Sequence, residues 1–258
     1  MMKNFLVVGV QRTGSSALAE SLAMHPHVAC GWEWTKDVDW RYKIRAGQHA
    51  LRGDFLSLPE RHRAHMTEVF NSSIVWLGFR RLFRASGKWL IHPFFTPALW
   101  VDRLEAHLGW LRRRPDIHVL HIVRLNSLEW LKSVYMARLT SSYVGKEYSK
   151  SMKVHIPERE AVARLRTKNW VDTRLSTLEN SNPYVRVFYE DLLKDRDRTG
   201  RTALMFMGCD PALMYVGAQQ VQRQSRGAAA DYIENHAQLS HALEKTGLVL
   251  SPMASKGV

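Results

Sequence analysis

The sequence predicts an α/β fold in a single domain, with a central parallel sheet flanked by helices on both faces. Short strand-like runs recur along the chain, at residues 5–8, 28–30, 117–123 and 185–188, with either 74–80 or 88–93 as a further strand. Each run is followed by a segment with helical spacing, and alternating strands and helices favour a parallel sheet. The 258 residues suit one domain with a full core, and they contain no repeats or low-complexity linkers.

The composition predicts a globular protein that attracts anions. Hydrophobic residues make up 45% of the chain and charged residues 24%, as in an ordinary folded domain. The excess of 37 Lys and Arg over 24 Asp and Glu gives a formal net charge of +13. These cations are scattered over many segments, which favours an anionic small molecule over nucleic acid as the partner. Peripheral contact with an anionic membrane stays open.

Cysteine usage and hydropathy predict a cytoplasmic protein. Cys30 and Cys209 lie far apart, outside any metal-ligand spacing, so we expect both to be reduced packing residues. The apolar run that begins at Phe5 is too short for a signal peptide and is expected to be the first strand. No apolar stretch approaches the length of a membrane span. The oligomeric state is left open by the sequence.

The first predicted strand runs into a loop with the spacing of a phosphate-binding P-loop. Gly9 and Gly14 enclose four residues, and Ser15 and Ser16 follow the second glycine. A glycine turn between a strand and a helix directs backbone N–H groups at a phosphate or sulfate. Ser15 stands where such loops usually carry lysine, so Arg12 is the cation that remains in the loop. A tight turn without a ligand is the alternative for this segment alone.

A second anion site is predicted where the strand at 117–123 ends. Arg124 follows that strand directly, and Asn126 is expected to cap the next helix in a capping box with Glu129. Because the carboxyl ends of parallel strands bind ligands in open α/β sheets, Arg124 and the glycine loop should share one sheet edge. Ser133, about two helical turns further on, is a candidate to face the same space. A structural ion pair is the alternative role for Arg124.

Four blocks of the sequence resemble the sulfotransferases that use 3′-phosphoadenosine 5′-phosphosulfate (PAPS). Residues 11–16 resemble the loop that holds the 5′-phosphosulfate, and the family's loop also lacks the lysine. Residues 123–133 are similar to the element whose arginine and serine hold the 3′-phosphate. Residues 187–193 resemble the strand and Tyr-Glu-Asp-Leu block that is typical of these enzymes, where the acidic residues are expected to be structural. Residues 222–227 and those that follow resemble the C-terminal segment that closes over the nucleotide.

The resemblance implies PAPS as the donor, its desulfated form PAP as the product, and a P-loop-like three-layer sandwich over residues 1–258. It also implies a set of nucleotide-binding residues, namely Arg12, Thr13, Gly14, Ser15, Ser16, Arg124, Ser133, Arg223, Arg226 and Gly227. Eight residues separate Arg124 from Ser133, one more than the commonest family spacing, so Ser127 is the alternative serine. No metal is implied, because no His or Asp cluster has ligand spacing.

Within the family, residues 22–33 look most like bacterial carbohydrate sulfotransferases of the trehalose- and nodulation-factor-modifying kind. The resemblance implies that Glu33 is the general base, with His92 as the competing base by similarity to the cytosolic small-molecule enzymes. Arg12 and the loop N–H groups would stabilise the leaving phosphate and the sulfuryl oxygens during catalysis. Trp32 and Trp34 flank Glu33 and are expected to stack on an acceptor sugar.

The predicted function is therefore transfer of a sulfuryl group from PAPS to a hydroxyl, most simply of a carbohydrate or glycolipid. Residues 35–73 and 140–156 are expected to recognise the acceptor or to form a lid, because they are the segments least tied to the sheet. A nucleotide kinase without the usual lysine is an alternative, disfavoured by Ser15 and by the lack of a predicted Mg²⁺ carboxylate. A basic anion-binding protein is another, but it leaves the four ordered blocks unexplained.

Overall fold

The computed structural model describes residues 4–10, 12–25, 28, 104–105, 108–109, 111–140, 148–149, 151–214 and 227–248. Within them, three parallel strands form one sheet in the order β1-β2-β3. The strands are β1 (Asn4–Val8), β2 (Ile117–Val123) and β3 (Tyr184–Phe188). All three coincide with predicted strands, and the predicted α/β class is confirmed. The strands predicted at 29–30 and at 74–80 or 88–93 lie outside the described residues.

Seven α-helices accompany the sheet in the described part of the chain. They are α1 (Ser15–Ala23), α2 (Ser127–Thr140), α3 (Glu158–Ser176), α4 (Tyr189–Lys194), α5 (Arg196–Phe206), α6 (Ala229–Tyr232) and α7 (His236–Lys245). Short 3₁₀ turns follow α3 at Thr177–Asn180 and α5 at Pro211–Leu213, and residues 104–105, 108–109 and 111–112 are also helical. None of the described helices combines the length and the apolar character that a membrane span requires.

The register of the sheet brings the ends of the strands together. Val8 at the end of β1 lies opposite His121, and Val123 at the end of β2 lies opposite Phe188 at the end of β3. Parallel strands that end in register release their following loops at the same edge. The glycine loop, Arg124 and Tyr189 therefore leave the sheet side by side, as the sequence predicts for the first two.

Helices cover both faces of the sheet. One face packs against α1, α4 and α5 through a cluster of buried apolar side chains, Val7, Leu18, Leu22, Leu120, Ile122, Val187, Leu192, Ala203, Leu204, Met207 and Met214. On the other face α3 lies against β2, and α2, α3, α6 and α7 share a second apolar cluster. Burying a Leu or Ile side chain contributes about 1.5–3 kcal/mol, so these two clusters hold the layers together.

A chain of polar side chains is buried where α3 covers the sheet. We call Lys168, Asp172, His121 and Tyr184 the β2–α3 polar network. The Tyr184 hydroxyl lies 2.6 Å from His121 Nδ1, and His121 Nε2 lies 3.3 Å from Asp172 Oδ1. The second oxygen of Asp172 accepts a 2.9 Å hydrogen bond from Lys168 Nζ, and both the lysine and the histidine are buried. Each of these polar side chains thus gains a partner away from water.

The second half of the predicted lid packs on the body of the protein where the structure describes it. Tyr148 is buried in one cluster with Met136 and Tyr232. Val154 forms a parallel β-bridge with Ile233, and its N–H donates to the Tyr232 carbonyl over 2.8 Å. This part of 140–156 is therefore attached to the C-terminal helices, because its aromatic and apolar residues find a buried surface there. Residues 141–147 and 150, and all of 35–73, lie outside the described residues.

Candidate active site

The loop between β1 and α1 has a left-handed turn on either side of a buried threonine. Arg12 has φ 67° and Gly14 has φ 92°, and α1 begins at the next residue, Ser15. The Thr13 side chain is fully buried and its hydroxyl donates to the Val10 carbonyl over 2.7 Å. A left-handed conformation costs a non-glycine residue about 1–2 kcal/mol. Strain of this kind is characteristic of functional loops that surrounding contacts hold in place.

The ring of Tyr189 closes the loop from the side of β3. A Cβ atom at position 14 would lie 2.3 Å from Cδ2 of that ring, so glycine is required for this approach as well as for the φ angle. At the other end of the loop, a Cβ at position 9 would lie 2.6 Å from the Ile122 carbonyl oxygen. The two glycines thus let the loop pack directly on the ends of β2 and β3.

The two predicted anion elements contact each other. Arg12 Nε donates a 3.0 Å hydrogen bond to Ser133 Oγ, and Arg124 Nη1 donates a 3.2 Å hydrogen bond to the Arg12 carbonyl. The alternative serine, Ser127, is buried and its hydroxyl donates to the Leu248 carbonyl over 3.0 Å. The structure therefore brings Ser133 to the glycine loop, and directs the Ser127 hydroxyl toward the C-terminal segment.

Arg124 is held between an aromatic ring and a carboxylate. Its side chain is buried, with the guanidinium carbon 4.4 Å from the centre of the Tyr189 ring. One of its terminal nitrogens lies 3.4 Å from Glu129 Oε2. Stacking on the ring orients the guanidinium and leaves its edge directed at polar partners. Such a cation can bind a phosphate through charge-assisted hydrogen bonds.

Glu190, the glutamate of the Tyr-Glu-Asp-Leu block, binds backbone. Its carboxylate accepts hydrogen bonds from the N–H groups of Leu125 at 3.1 Å and Asn126 at 3.0 Å. The Asn126 side chain in turn accepts from the Glu129 N–H over 3.0 Å, so Asn126 caps α2 as predicted. Glu190 rather than Glu129 supplies the carboxylate for the Asn126 N–H, and it fixes the exit of β2 on the exit of β3. This arrangement agrees with a structural role for the acidic residues of the block.

A cavity of about 380 Å³ opens beside these groups. It is lined by Arg124, Asn126, Glu129, Tyr189, Glu190, Leu193, Gly227 and Ala228. Its wall contains two carboxylates, which by themselves would repel an anion. Both are already engaged, Glu190 by backbone N–H groups and Glu129 by cations. The cavity can therefore accept an anionic ligand next to Arg124.

Sequence reasoning missed a buried lysine at this site. Lys132 is fully buried, and its Nζ lies 2.8 Å from Glu129 Oε2 and 2.8 Å from the Gly227 carbonyl oxygen. The Tyr232 ring centre is 5.2 Å away. The spacing of Glu129 and Lys132, three apart on a helix, is a sequence signal for a pair. Such pairs are usually solvated, so the spacing alone does not reveal that this one is buried beside a cavity.

Several predicted site residues lie outside the described part of the chain. They are Trp32, Glu33, Trp34, His92, Arg223 and Arg226. Ser16 falls within α1, and Ser15 is its first residue and is half-buried. Gly227 is described and lines the cavity. Of the predicted nucleotide-binding set, the structure brings together Arg12, Gly14, Arg124 and Ser133 around one sheet edge, with Gly227 at the cavity.

Comparison with known protein families gives a match over most of the chain. Among known protein families, the sulfotransferase family matches residues 4–212 of the 258. A search of curated proteins finds no significant match. The matched interval includes the glycine loop, all three described strands and the helix that carries Ser133. The chain therefore belongs to the sulfotransferase family, whose members transfer sulfuryl groups.

Proposed function

We propose that this sulfotransferase uses PAPS as its donor and transfers the sulfuryl group to a hydroxyl of a carbohydrate or glycolipid. The observation that carries the proposal is the 3.0 Å hydrogen bond between Arg12 and Ser133. It joins the loop that would hold the 5′-phosphosulfate to the helix that would hold the 3′-phosphate. PAPS carries anionic groups at both the 3′ and the 5′ position of one ribose, so it needs two cationic sites that lie close together.

The charges around the cavity support an anionic nucleotide. Arg12 and Arg124 converge on the sheet edge, where the Arg124 guanidinium donates to the Arg12 carbonyl. The backbone N–H groups of the strained loop and the start of α1 add positive potential on the same side. Since Glu129 and Glu190 have their own partners, a bound phosphate would meet the arginines rather than uncompensated carboxylates.

Sulfuryl transfer depends mainly on positioning and on charge stabilisation, as phosphoryl transfer does. The acceptor hydroxyl oxygen would form a bond to sulfur while the bond from sulfur to the bridging oxygen of the 5′-phosphate breaks. Glu33 would accept the hydroxyl proton, and PAP and the sulfate ester would be the products. Arg12 and the loop N–H groups would stabilise the charge on the sulfuryl oxygens and the leaving phosphate. His92 is the alternative base.

The carbohydrate acceptor rests on the sequence around Glu33. Residues 22–33 resemble bacterial carbohydrate sulfotransferases, and Trp32 and Trp34 offer aromatic faces of the kind that stack on sugar rings. Residues 35–73 and 140–156 remain the proposed acceptor-recognition segments. Specificity would come from these segments rather than from the sheet, because function resides in sites carried by a fold.

Thermal unfolding with added 3′,5′-adenosine bisphosphate, beside ATP–Mg²⁺, tests the donor. A ligand at 100 times its Kd stabilises the native state by about 2.7 kcal/mol, which raises the Tm of a chain of this size by roughly 5–10 °C. We expect that shift with the bisphosphate and none with ATP–Mg²⁺. A shift with ATP–Mg²⁺ alone would support the kinase alternative. No shift with either ligand would refute the proposed nucleotide site.

Substitution of the proposed base separates catalysis from binding. We expect Glu33→Ala to bind the bisphosphate as the wild type does and to lose about 10²–10⁴-fold in the rate of sulfuryl transfer from labelled PAPS. His92→Ala is the matched variant and should keep most of its activity. Full activity in Glu33→Ala with a large loss in His92→Ala would assign the base to His92 instead.

A further inference from the structure

We infer that Lys132 is a positioning residue for the nucleotide phosphate: it neutralises Glu129 beside Arg124 and fixes Gly227 at the wall of the cavity. The inference rests on the proposed PAPS site, and it concerns how that site keeps its charge balance. Lys132 itself is fully buried and would act through its neighbours rather than by touching the ligand.

Lys132 and Arg124 share one carboxylate oxygen. Glu129 Oε2 lies 2.8 Å from Lys132 Nζ and 3.4 Å from Arg124 Nη2, so the shorter ion pair is with the lysine. A phosphate that binds Arg124 has to replace or share this contact with Glu129. Since Lys132 already balances the charge of Glu129, the arginine can direct its charge to the phosphate without leaving a bare carboxylate in the wall.

Burial strengthens the effect of the charge balance between Lys132 and Glu129. Charges interact more strongly away from water, and a carboxylate that loses its partner in a buried site carries a large desolvation penalty. Without the lysine, the ion pair with Arg124 would carry more of the charge of Glu129. The carboxylate would then compete with the phosphate for the guanidinium, and its negative charge would repel the ligand across the cavity.

The same ammonium also contacts Gly227, another residue that lines the cavity. Lys132 Nζ donates to the Gly227 carbonyl over 2.8 Å, and the Ala228 N–H donates to Asp231 Oδ2 over 2.7 Å. A Cβ at position 227 would lie 2.5 Å from that carboxylate oxygen of Asp231, so the backbone packs closely where Gly227 lines the cavity. Gly227 belongs to the segment that, by resemblance, closes over the nucleotide. Lys132 thus links the position of Gly227 to the charge beside Arg124.

Lys168 in α3 provides a matched control. It is also buried, and its Nζ lies 2.9 Å from Asp172, one turn along its own helix. Its network lies between β2 and α3, on residues that do not line the cavity. A substitution there removes a buried lysine ion pair as Lys132→Met does, but it leaves the site untouched. Any effect specific to Lys132 therefore reports the site and not the general loss of a buried pair.

The test is isothermal calorimetry with 3′,5′-adenosine bisphosphate on the full chain. We expect Lys132→Met to weaken binding about 10–100-fold and Lys168→Met to leave the Kd within about twofold. Glu129→Gln alone should lower the Kd, because it removes a negative charge from the cavity wall and leaves the charge of Lys132 unbalanced beside Arg124. In the double variant Lys132→Met/Glu129→Gln, removal of the competing carboxylate should restore at least about tenfold of the lost affinity. With PAPS as substrate, KM should follow the same pattern more strongly than kcat.

The outcomes separate this inference from the proposed function. If the wild type does not bind the bisphosphate, the proposed donor is wrong. If the wild type binds and Lys132→Met binds equally well, the inference is wrong. Weak binding that Glu129→Gln does not restore would also overturn it, because the lysine would then act on structure alone. Should Lys132→Met fail to fold, Lys132→Gln removes the charge and keeps a donor for Gly227, and the same loss and rescue are required of it.

Discussion

Two buried lysines in this protein have similar local chemistry and different surroundings. Lys132 in α2 pairs with Glu129, and Lys168 in α3 pairs with Asp172, in each case about one helical turn away. Asp172 continues to His121, within the β2–α3 polar network that lies between helix and sheet. Glu129 also forms an ion pair with Arg124, at the wall of the cavity. The comparison indicates that the effect of a buried ion pair depends on what its carboxylate contacts next. Where that is the protein interior, the pair should affect stability, and where it is the cavity, the pair should affect binding.

The largest expected effect is the loss of ligand affinity when Arg124, which lines the cavity, is substituted. Arg124→Ala removes the cation that the proposed 3′-phosphate would contact, and truncating one partner of a buried charge pair costs roughly 2–5 kcal/mol. We therefore expect the affinity for 3′,5′-adenosine bisphosphate to fall about 100-fold, measured by calorimetry. Arg112→Ala is the control, because that exposed arginine donates to Thr177 away from the cavity. Equal affinities for Arg124→Ala and the wild type would place the phosphate elsewhere.

In the β2–α3 polar network, substitution of Lys168 is expected to lower the free energy of unfolding and to leave bisphosphate binding unchanged. Lys168→Met leaves Asp172 without its ammonium partner in a mostly buried position, which costs about 2–3 kcal/mol when partial solvation of the carboxylate is allowed for. The Tm should fall by roughly 5–10 °C. A fall in bisphosphate affinity beyond twofold, measured well below the Tm, would mean that the β2–α3 polar network is coupled to the ion pairs of Glu129 beside the cavity.

The smallest effect concerns pH. Burial raises the pKa of the Tyr184 hydroxyl, and the neighbouring Arg186 opposes that rise in part. The pKa of Tyr184 is therefore higher in the folded protein than in the unfolded one. The neutral hydroxyl contributes fully to the free energy of unfolding below about pH 10, and this contribution is lost as the pH rises through the folded pKa. Tyr184→Phe should be about 1 kcal/mol less stable at pH 8, since the hydrogen bond to His121 is lost. It should then lose less stability than the wild type between pH 8 and pH 11.

Urea midpoints at the two pH values measure this difference. Burial also raises the pKa of Tyr135 to about 12, so both proteins lose some stability over the same interval, and only the difference between them reports Tyr184. Parallel losses in the variant and the wild type would show that Tyr184 does not contribute. Bisphosphate affinity at pH 8 should be the same in both, because the residue belongs to the network and does not line the cavity.

Much of the framework follows from local sequence. Strands β1, β2 and β3 are short runs rich in β-branched and aromatic residues, and this composition favours strands. Asn126 caps α2 as its side chain predicts. The juxtaposition of Arg124 with the glycine loop follows from a general property of parallel sheets, whose strands end at one edge. These features depend on a few neighbouring residues or on topology, and both can be derived from sequence.

The rest depends on contacts between distant segments. The burial of Lys132 depends on Gly227, which lies 95 positions further along the chain. Tyr189 touches both Gly14 and Arg124, and no spacing in the sequence indicates that a ring will fill that space. The packing of Tyr148 on Met136 and Tyr232 was missed for the same reason, since a polar, glycine-containing stretch predicts a loop whether or not its aromatic residue finds a partner.

The left-handed turn at Arg12 has a consequence for how the protein is made. The Arg12 side chain is hydrogen-bonded to Ser133, 121 positions later. The Arg12 carbonyl is hydrogen-bonded to Arg124, 112 positions later. The nascent chain therefore lacks these two contacts until α2 has been synthesised. At about 5–20 residues per second, the ribosome needs roughly 6–25 seconds for that stretch. The glycine loop is synthesised first and acquires these contacts late, so premature termination before α2 yields a fragment in which the loop lacks them.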